Sequence, residues 1–319
     1  MTLNNAGTDR VPAFLVLMAT RNGEAWVEQQ LQSILSQQGV SLRVLISDDA
    51  STDRTVSLLR AVAQHDQRVE LLPEASPSGS ACANFMRLIR SVNVDPEQGY
   101  THVALSDQDD VWHPDKLRRA ALHMSHEGAD LYSGAVTARW LSGKTKDLLQ
   151  RSVPTGADHL FEGAGQGCTF VLNRPLFEQV HAVAHDAATL LSPVHYHDWL
   201  IYALARSWNR RWFYDPVPTM VYRQHAANDT GARGSISGIR LRVGRISSDW
   251  YGQQVRAVLT VCRHVNPGHE AAAHVEALIS AARRSAWGRL RWWAFILTRS
   301  RRRLSDRLVL AAFTGLGMF

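Results

Sequence analysis

Apolar runs alternate with amphipathic stretches over residues 1–130. Phe14-Leu15-Val16-Leu17-Met18-Ala19 reads as a buried strand. Residues 24–38 carry Trp26, Val27, Leu31, Ile34 and Leu35 at helical spacing, and Gly39 is placed to stop that helix. Leu42-Arg43-Val44-Leu45-Ile46 is a second strand. A helix running to Gln64, capped by Ser51 or Thr52, follows it. Residues 69–72 form a third strand, leading into a loop over 73–80 rich in Pro, Ser and Gly. A helix over 84–92, a strand ending at Leu105 and a helix opened by Pro114 complete this half. The order strand–helix–strand argues for an α/β domain with a mostly parallel sheet, in which a ligand sits beyond the carboxyl ends of the strands.

The pattern is less regular after residue 130. Residues 168–173 read as a strand and 174–184 as a helix with Pro175 in its first turn. His197-Asp198 opens the apolar-periodic stretch over 199–205, and residues 217–222 form a late strand ending in Arg223-Gln224-His225. Gly231-Ala232-Arg233-Gly234-Ser235 marks a boundary, so residues 1–232 are read as one domain and 233–319 as a mostly helical extension.

Polar clusters stand at three of the predicted strand ends: Ala19 to Glu24, Ser47 to Asp53, and Ser106-Asp107-Gln108-Asp109-Asp110. Three carboxylates at the end of a buried strand repel one another and resist desolvation unless a positive charge joins them. A hard divalent cation, Mg²⁺ or Mn²⁺, held by carboxylates and substrate phosphates, is the simplest neutraliser. The competing reading is an acidic loop in which Asp110 or Asp115 caps the next helix.

Charge divides the chain. Residues 233–319 hold 15 Lys and Arg against four acids, a net +11, whereas residues 1–232 hold 20 against 25, a net −5. Arginines concentrate at 283–307, interleaved with Trp287, Trp292, Trp293, Phe295, Ile296 and Leu297. That mixture suits an interfacial helix on an anionic membrane, and a solvated basic face on a packed helix reads the same way. Nucleic acid is disfavoured because no nucleic-acid motif accompanies the charge. Residues 283–319 are therefore expected to be removable without harm to a nucleotide site. Cys82, Cys168 and Cys262 give neither a disulfide framework nor a zinc spacing, which suits a reducing compartment. The polar first twelve residues show no secretory signal pattern. No apolar run reaches the roughly 18–20 residues of a spanning helix. The expected location is cytoplasmic, peripheral on the inner face of the membrane.

Five segments resemble glycosyltransferase family 2, the inverting enzymes of GT-A fold, and in particular its rhamnosyltransferase-like members. They are Ala19 to Glu24, Ile46 to Asp53, Ser106 to Lys116, His197-Asp198-Trp199 and Tyr222 to His225. The resemblance implies a GT-A, Rossmann-like α/β domain with a mixed, mostly parallel sheet flanked by helices, followed by the C-terminal helical extension. It makes Asp109 the direct ligand of Mg²⁺ or Mn²⁺, and Asp107 a ribose contact or a second ligand. Asp49 becomes the contact to the base, with Asp48, Ala19, Thr20 and Glu24 around the same pocket. A carboxylate at that place can accept the N3–H of uracil or thymine.

Arg223 and His225 are candidates for the donor diphosphate, and His225 for a third metal ligand. Asp198 is the candidate general base for an acceptor hydroxyl; an ordinary helix-start aspartate is the alternative. His195, His197 and Asp198 also suggest zinc, but no further ligand motif of suitable spacing follows. Trp112 and Trp199 flank the two key aspartates and could pack on sugar rings or in the core. The implied reaction moves a sugar, first of all L-rhamnose, from a dTDP- or UDP-sugar to a saccharide or lipid-linked saccharide. It would serve surface polysaccharide or O-antigen synthesis. A metal-dependent nucleotidyltransferase would use paired aspartates too, but would have no use for a base at Asp198. A membrane- or nucleic-acid-binding protein on an inactive transferase domain is opposed by the presence of Asp107, Asp109 and Asp198 together.

Overall fold

A computed structural model describes residues 11–150, 153–225 and 249–315. The first half builds strands β1 (Ala13–Thr20), β2 (Ser41–Asp48), β3 (Val69–Leu71), β4 (His102–Ser106) and β5 (Val111–Trp112). Between and after them lie helices α1 (Val27–Leu35), α2 (Thr55–His65), α3 (Ala81–Ser91) and α4 (Lys116–Glu127). Then come β6 (Leu131–Gly134), β7 (Val136–Trp140), β8 (Thr145–Leu148), β9 (Val171–Asn173), α5 (Arg174–Asp186), α6 (Ala188–Leu191), α7 (His197–Ser207), β10 (Trp212–Asp215) and β11 (Met220–Gln224). The extension supplies α8 (Trp250–Val265), α9 (Glu270–Arg284), α10 (Ala286–Arg299) and α11 (Leu304–Gly315).

Seven strands form the main sheet in the order β10-β6-β9-β4-β1-β2-β3. All neighbours are parallel except β9, which runs against both β4 and β6. Val16, Leu17 and Met18 of β1 are wholly buried, because helices cover both faces of the sheet, as a continuous apolar strand requires. Leu15, Leu17, Phe85, Phe177 and Leu200 pack on one face, against α3, α5 and α7. Phe14, Val16, Leu31, Leu59 and Leu117 pack on the other, against α1, α2 and α4. The register pairs Thr20 with Asp48 and Met18 with Ser106, so the first, second and fourth strands end at one rim. A smaller sheet, β5-β11-β7-β8, lies alongside and brings Arg223 and Gln224 to the site through β11.

Several boundaries differ from the sequence reading. Helix α1 ends at Leu35 and not beside Gly39. The Gln38 amide and the Gln37 side chain instead bond the carbonyls of Pro114 and His113 at 2.8 and 2.7 Å, drawing the chain off the helix axis. Helix α2 starts at Thr55, whose amide is taken by Asp53 at 2.9 Å. Ser51 is occupied with Asp48 at 2.6 Å. Ser80 caps α3 and Asn173 caps α5. The proposed boundary at 231–235 lies outside the described residues.

The extension is packed, not separate. Tyr251, Val255, Trp292, Phe295 and Leu310 share one core with Phe161, Trp199 and Ala203. Residues 283–319 supply Trp292, Phe295, Ile296, Leu310 and Ala311 to that core, so removing them would uncover part of it.

Candidate active site

The loops after β1 and β2 are tied to each other. Asn22, in the left-handed region with φ 49°, receives the Thr52 amide at 2.8 Å and donates its own to Ser51 at 2.7 Å. The Gly23 amide reaches Thr55 at 2.7 Å, and a side chain at Gly23 would overlap Gln108. Asp48 accepts from the Thr20 hydroxyl at 2.8 Å and from the Ser51 amide and hydroxyl at 2.7 and 2.6 Å. Its carboxylate thus builds the loop. Glu24 similarly holds the Arg54 amide at 3.0 Å. Thr20 is buried, and its carbonyl receives the Asp49 amide at 2.8 Å. Ala19, one residue earlier, packs partly against the core.

Asp49 is 2% exposed. The Ser78 amide donates to it at 2.5 Å, and Arg21 and Arg87 stand 3.6 Å from its two oxygens. Arg87 also bonds Ser47 Oγ and the Asp48 carbonyl at 2.8 and 2.7 Å, which fixes the loop carrying Asp49. Sequence reasoning did not single out Ser78 or Arg87. Ser78 lies in the Pro/Ser/Gly-rich loop, and Arg87 on α3, the helix that follows it.

The acidic run divides by depth. Gln108 clamps the Arg21 backbone from both sides, at 2.8 Å to its amide and 2.8 Å to its carbonyl. Asp109 is 8% exposed and meets His225 Nε2 at 2.6 Å. His225 lies flat on Trp26, with ring centroids 4.1 Å apart. Arg223 donates to the Asp109 carbonyl at 3.1 Å and pairs with Gln29. Burial lowers the Arg223 pKa, against the opposing pull of Asp109 and Asp110.

Asp110 is wholly buried, six residues ahead of α4, so it is not a helix cap. Asp115 holds the cap position and accepts no capping bond. Neither Asp110 oxygen accepts a hydrogen bond from nitrogen or oxygen. Burial, then Asp109 and Asp107, push its carboxyl well above the carboxylate range. Lys116, also wholly buried, sits 3.6 Å over the Trp112 ring. Burial brings its pKa down to about 8. Ligand atoms of Asp107, Asp110 and Cys168 lie within 4.8 Å of one another. Burial raises the Cys168 thiol well above its usual range, which makes it a poor partner for a hard cation. The structure groups the Asp107 carboxylate with Asp110 and Cys168, and pairs Asp109 with His225; of these groups the carboxylates and the imidazole are the ones suited to Mg²⁺ or Mn²⁺.

Asp198 lies in the first turn of α7, its carboxylate accepting the Trp199 amide at 2.7 Å. Trp199 itself is a core residue, with its indole N–H on the His159 carbonyl at 2.9 Å. Trp112 is likewise buried. His197 stacks on Phe85 of α3 at 3.9 Å. Cys82, also on α3, is pushed up to about 12 by burial and then by the Asp198 charge. Asn84, on the same helix, donates to the rim carbonyls of Thr20 and Ser47 at 3.4 and 3.1 Å. Gly167 completes the connection. A Cβ there would meet His197 Nε2 at 2.7 Å and Asp198 Cβ at 3.0 Å, while the next residue, Cys168, touches the acidic loop. The glycine-dense segment over 163–167 was the sequence signal that sequence reasoning passed over.

A Rossmann-like sheet thus carries an acidic loop on its carboxyl rim and a separate aspartate at a helix start. Residues 15–188 match the profile of Glycosyl transferase family 2. The chain belongs to glycosyltransferase family 2 and is a glycosyltransferase. It is 35% identical over 242 residues to the dTDP-rhamnosyl transferase RfbG of Shigella flexneri, covering 76% of this chain and 83% of the relative. Its fold is similar to that of S. aureus TarS residues 1–349 (TM-score 0.52, 16% identity, 96% of this chain and 80% of that one). It is also similar to the mannosyltransferase PcManGT of Pyrobaculum calidifontis, solved with GDP-Man and Mn2+ (TM-score 0.51, 15% identity, 97% and 88% covered). The fold is GT-A-like.

Proposed function

We propose that this protein transfers L-rhamnose from a dTDP-sugar to a saccharide acceptor, with inversion at the anomeric carbon. The donor is suggested by the name of the Shigella relative and by Asp49, whose buried carboxylate suits a thymine N3–H. Asp107, Asp109 and His225 would hold Mg²⁺ or Mn²⁺, which when bound supplies Lewis-acid stabilisation of the departing diphosphate. Asp198 takes the proton of the acceptor hydroxyl as its oxygen bonds the anomeric carbon and the bond to the diphosphate breaks. A β-linked donor then gives an α-rhamnoside.

The observation that carries this reading is the turn at Gly167–Thr169. One side backs Asp198 and the other backs Asp107 and Asp110, so the donor and acceptor halves share a wall. The test is a thermal-shift screen of dTDP, UDP, GDP and dTDP-L-rhamnose with and without Mn²⁺, followed by NMR of the product anomer. A bound ligand stabilises as RT ln(1 + [L]/Kd). Preference for GDP, or a β-linked product, would overturn the reading.

The acceptor side is proposed to face an anionic membrane, where a lipid-linked saccharide of surface polysaccharide synthesis would be found. Trp287, Leu290 and Trp293 fall on one face of α10 at helical spacing, 67%, 51% and 39% exposed. Arg283 and Arg284 of α9 and Arg289, Arg291 and Arg299 of α10 are exposed. Each arginine near such a surface contributes roughly 1 kcal/mol. Among the described residues no helix is long and apolar enough to cross a membrane.

A further inference from the structure

Arg302 belongs to the basic tail by sequence, yet its side chain is 1% exposed. It enters the domain behind α7. Its guanidinium donates to Asp158 Oδ2 at 2.7 Å, to the Gly163 carbonyl at 2.6 Å, to Gln150 at 3.1 Å and to the Tyr202 hydroxyl at 3.4 Å. Glu162 completes the charge balance: its carboxylate lies 3.5 Å from Arg302 Nε and takes the Arg302 amide at 2.6 Å. The guanidinium also lies over the rings of Tyr202 and Trp212, at 5.5 and 5.1 Å.

Two of these partners lead to the same place. Tyr202 stands one helical turn after Asp198 on α7, and its hydroxyl bonds Asp158 at 2.7 Å. Gly163 begins the glycine segment, and a Cβ on it would touch the Trp199 backbone at 3.4 Å. The other end of that segment, Gly167, abuts Asp198. One side chain from the extension therefore holds both the helix that carries Asp198 and the wall that Asp198 leans on.

We infer that Arg302 is a positioning residue for glycosyl transfer, fixing Asp198 against the acceptor from behind. This rests on the reading of Asp198 as general base. Arg302 touches no residue of the nucleotide half, so its loss should act on turnover and not on nucleotide affinity. A planar guanidinium that reaches Asp158 and the Gly163 carbonyl at once is needed for this, and a lysine cannot replace it.

The experiment compares Arg302→Lys, Tyr202→Phe, Asp198→Asn and the double variant Asp198→Asn/Arg302→Lys, with Arg301→Lys as control. Arg301 bonds the Phe161 carbonyl at 3.1 Å and stacks on Tyr251, but reaches neither Tyr202 nor Gly163. The expected result for Arg302→Lys is at least a tenfold loss of kcat, with dTDP affinity within twofold of wild type. Tyr202→Phe should lose kcat in the same direction, and it decides the matter if Arg302→Lys does not fold. Arg301→Lys should keep kcat. The double variant should be no slower than Asp198→Asn alone, because the positioned group is already gone; a merely structural role would lower it further.

Wild-type kcat in folded Arg302→Lys, or in Tyr202→Phe when the lysine variant does not fold, overturns the positioning role. So does a full further loss in the double variant. Near-normal turnover of Asp198→Asn sinks the base reading itself, and the positioning role with it.

Discussion

Replacing Gly167 by alanine would put a methyl carbon 2.7 Å from His197 Nε2 and 3.0 Å from Asp198 Cβ. Non-bonded carbon atoms rest at about 3.5–4.0 Å, so roughly half an ångström to one ångström must be found. The His197 ring cannot readily give way, because it is stacked on the buried Phe85 at 3.9 Å. Behind Gly167, Cys168 is wholly buried. The first turn of α7 is what remains to move, and it carries Asp198. Overpacking of this kind costs about 1–3 kcal/mol of stability. Since a 1 Å misplacement can cost on the order of 100-fold in rate, about half that shift should lower kcat roughly tenfold, or ~1.4 kcal/mol.

The measurement is single-turnover transfer beside calorimetric dTDP binding, for Gly167→Ala and for Gly163→Ala. A Cβ at Gly163 meets Trp199 backbone atoms at 3.4 and 3.5 Å, close to ordinary contact, so that variant should keep most of its rate. Wild-type turnover in folded Gly167→Ala, or an equal loss in both variants, would refute the reasoning.

Asp109→Ala should weaken Mn²⁺-dependent dTDP binding at least tenfold by calorimetry, whereas Asp110→Asn, at a site where burial already favours the neutral acid, should leave it near wild type. Equal losses would place both carboxylates at the cation. Replacing Trp287, Leu290 and Trp293 together by alanine should cut flotation with anionic liposomes about tenfold and leave dTDP affinity unchanged; undiminished flotation would remove α10 from the interface. His159 is buried with neither ring nitrogen bonded, and burial first, then Arg206, lower its pKa from 6.5 to about 3. The unfolded chain therefore takes up that proton first as pH falls below 6.5, and stability drops from there until the folded ring protonates near 3. His159→Phe should remove on the order of 2 kcal/mol of the loss between neutral pH and about pH 5, seen as a smaller drop in Tm; an unchanged drop would assign the acid sensitivity elsewhere.

The parts of the fold that were legible are those whose burial is written into one stretch of chain. Strands β1, β2 and β4 are apolar runs ending in polar clusters, and that coincidence located the rim. Strand β8 was not legible: Thr145, Lys146 and Asp147 are exposed, and an edge strand of a small sheet needs no apolar face. The short β5 and β10 owe their existence to partners far away in sequence. Arg302 shows the same limit for charge. It stands among arginines that reach solvent, and its buried partners Asp158 and Glu162 lie about 140 residues earlier. No local pattern separates it from Arg299 or Arg303. Ser78, Arg87 and Gly167 were hidden for a related reason, since each matters through what it touches across the fold.

Depth, which sequence does not record, sorts the acidic run into distinct surroundings. Asp107, Asp109 and Asp110 are the same residue type within four positions, and three anions so close together would be costly. The fold turns the last of them fully inward, where burial and its two neighbours favour the neutral acid. Asp109, 8% exposed, finds the His225 imidazole at 2.6 Å, and the Trp26 ring lies flat against that imidazole. Asp107 stays partly exposed beside them. A neutral Asp110 adds no third charge beside its two neighbours. The innermost aspartate thereby shapes the charge of the rim from behind, and one acidic run holds its three carboxyls in three different surroundings.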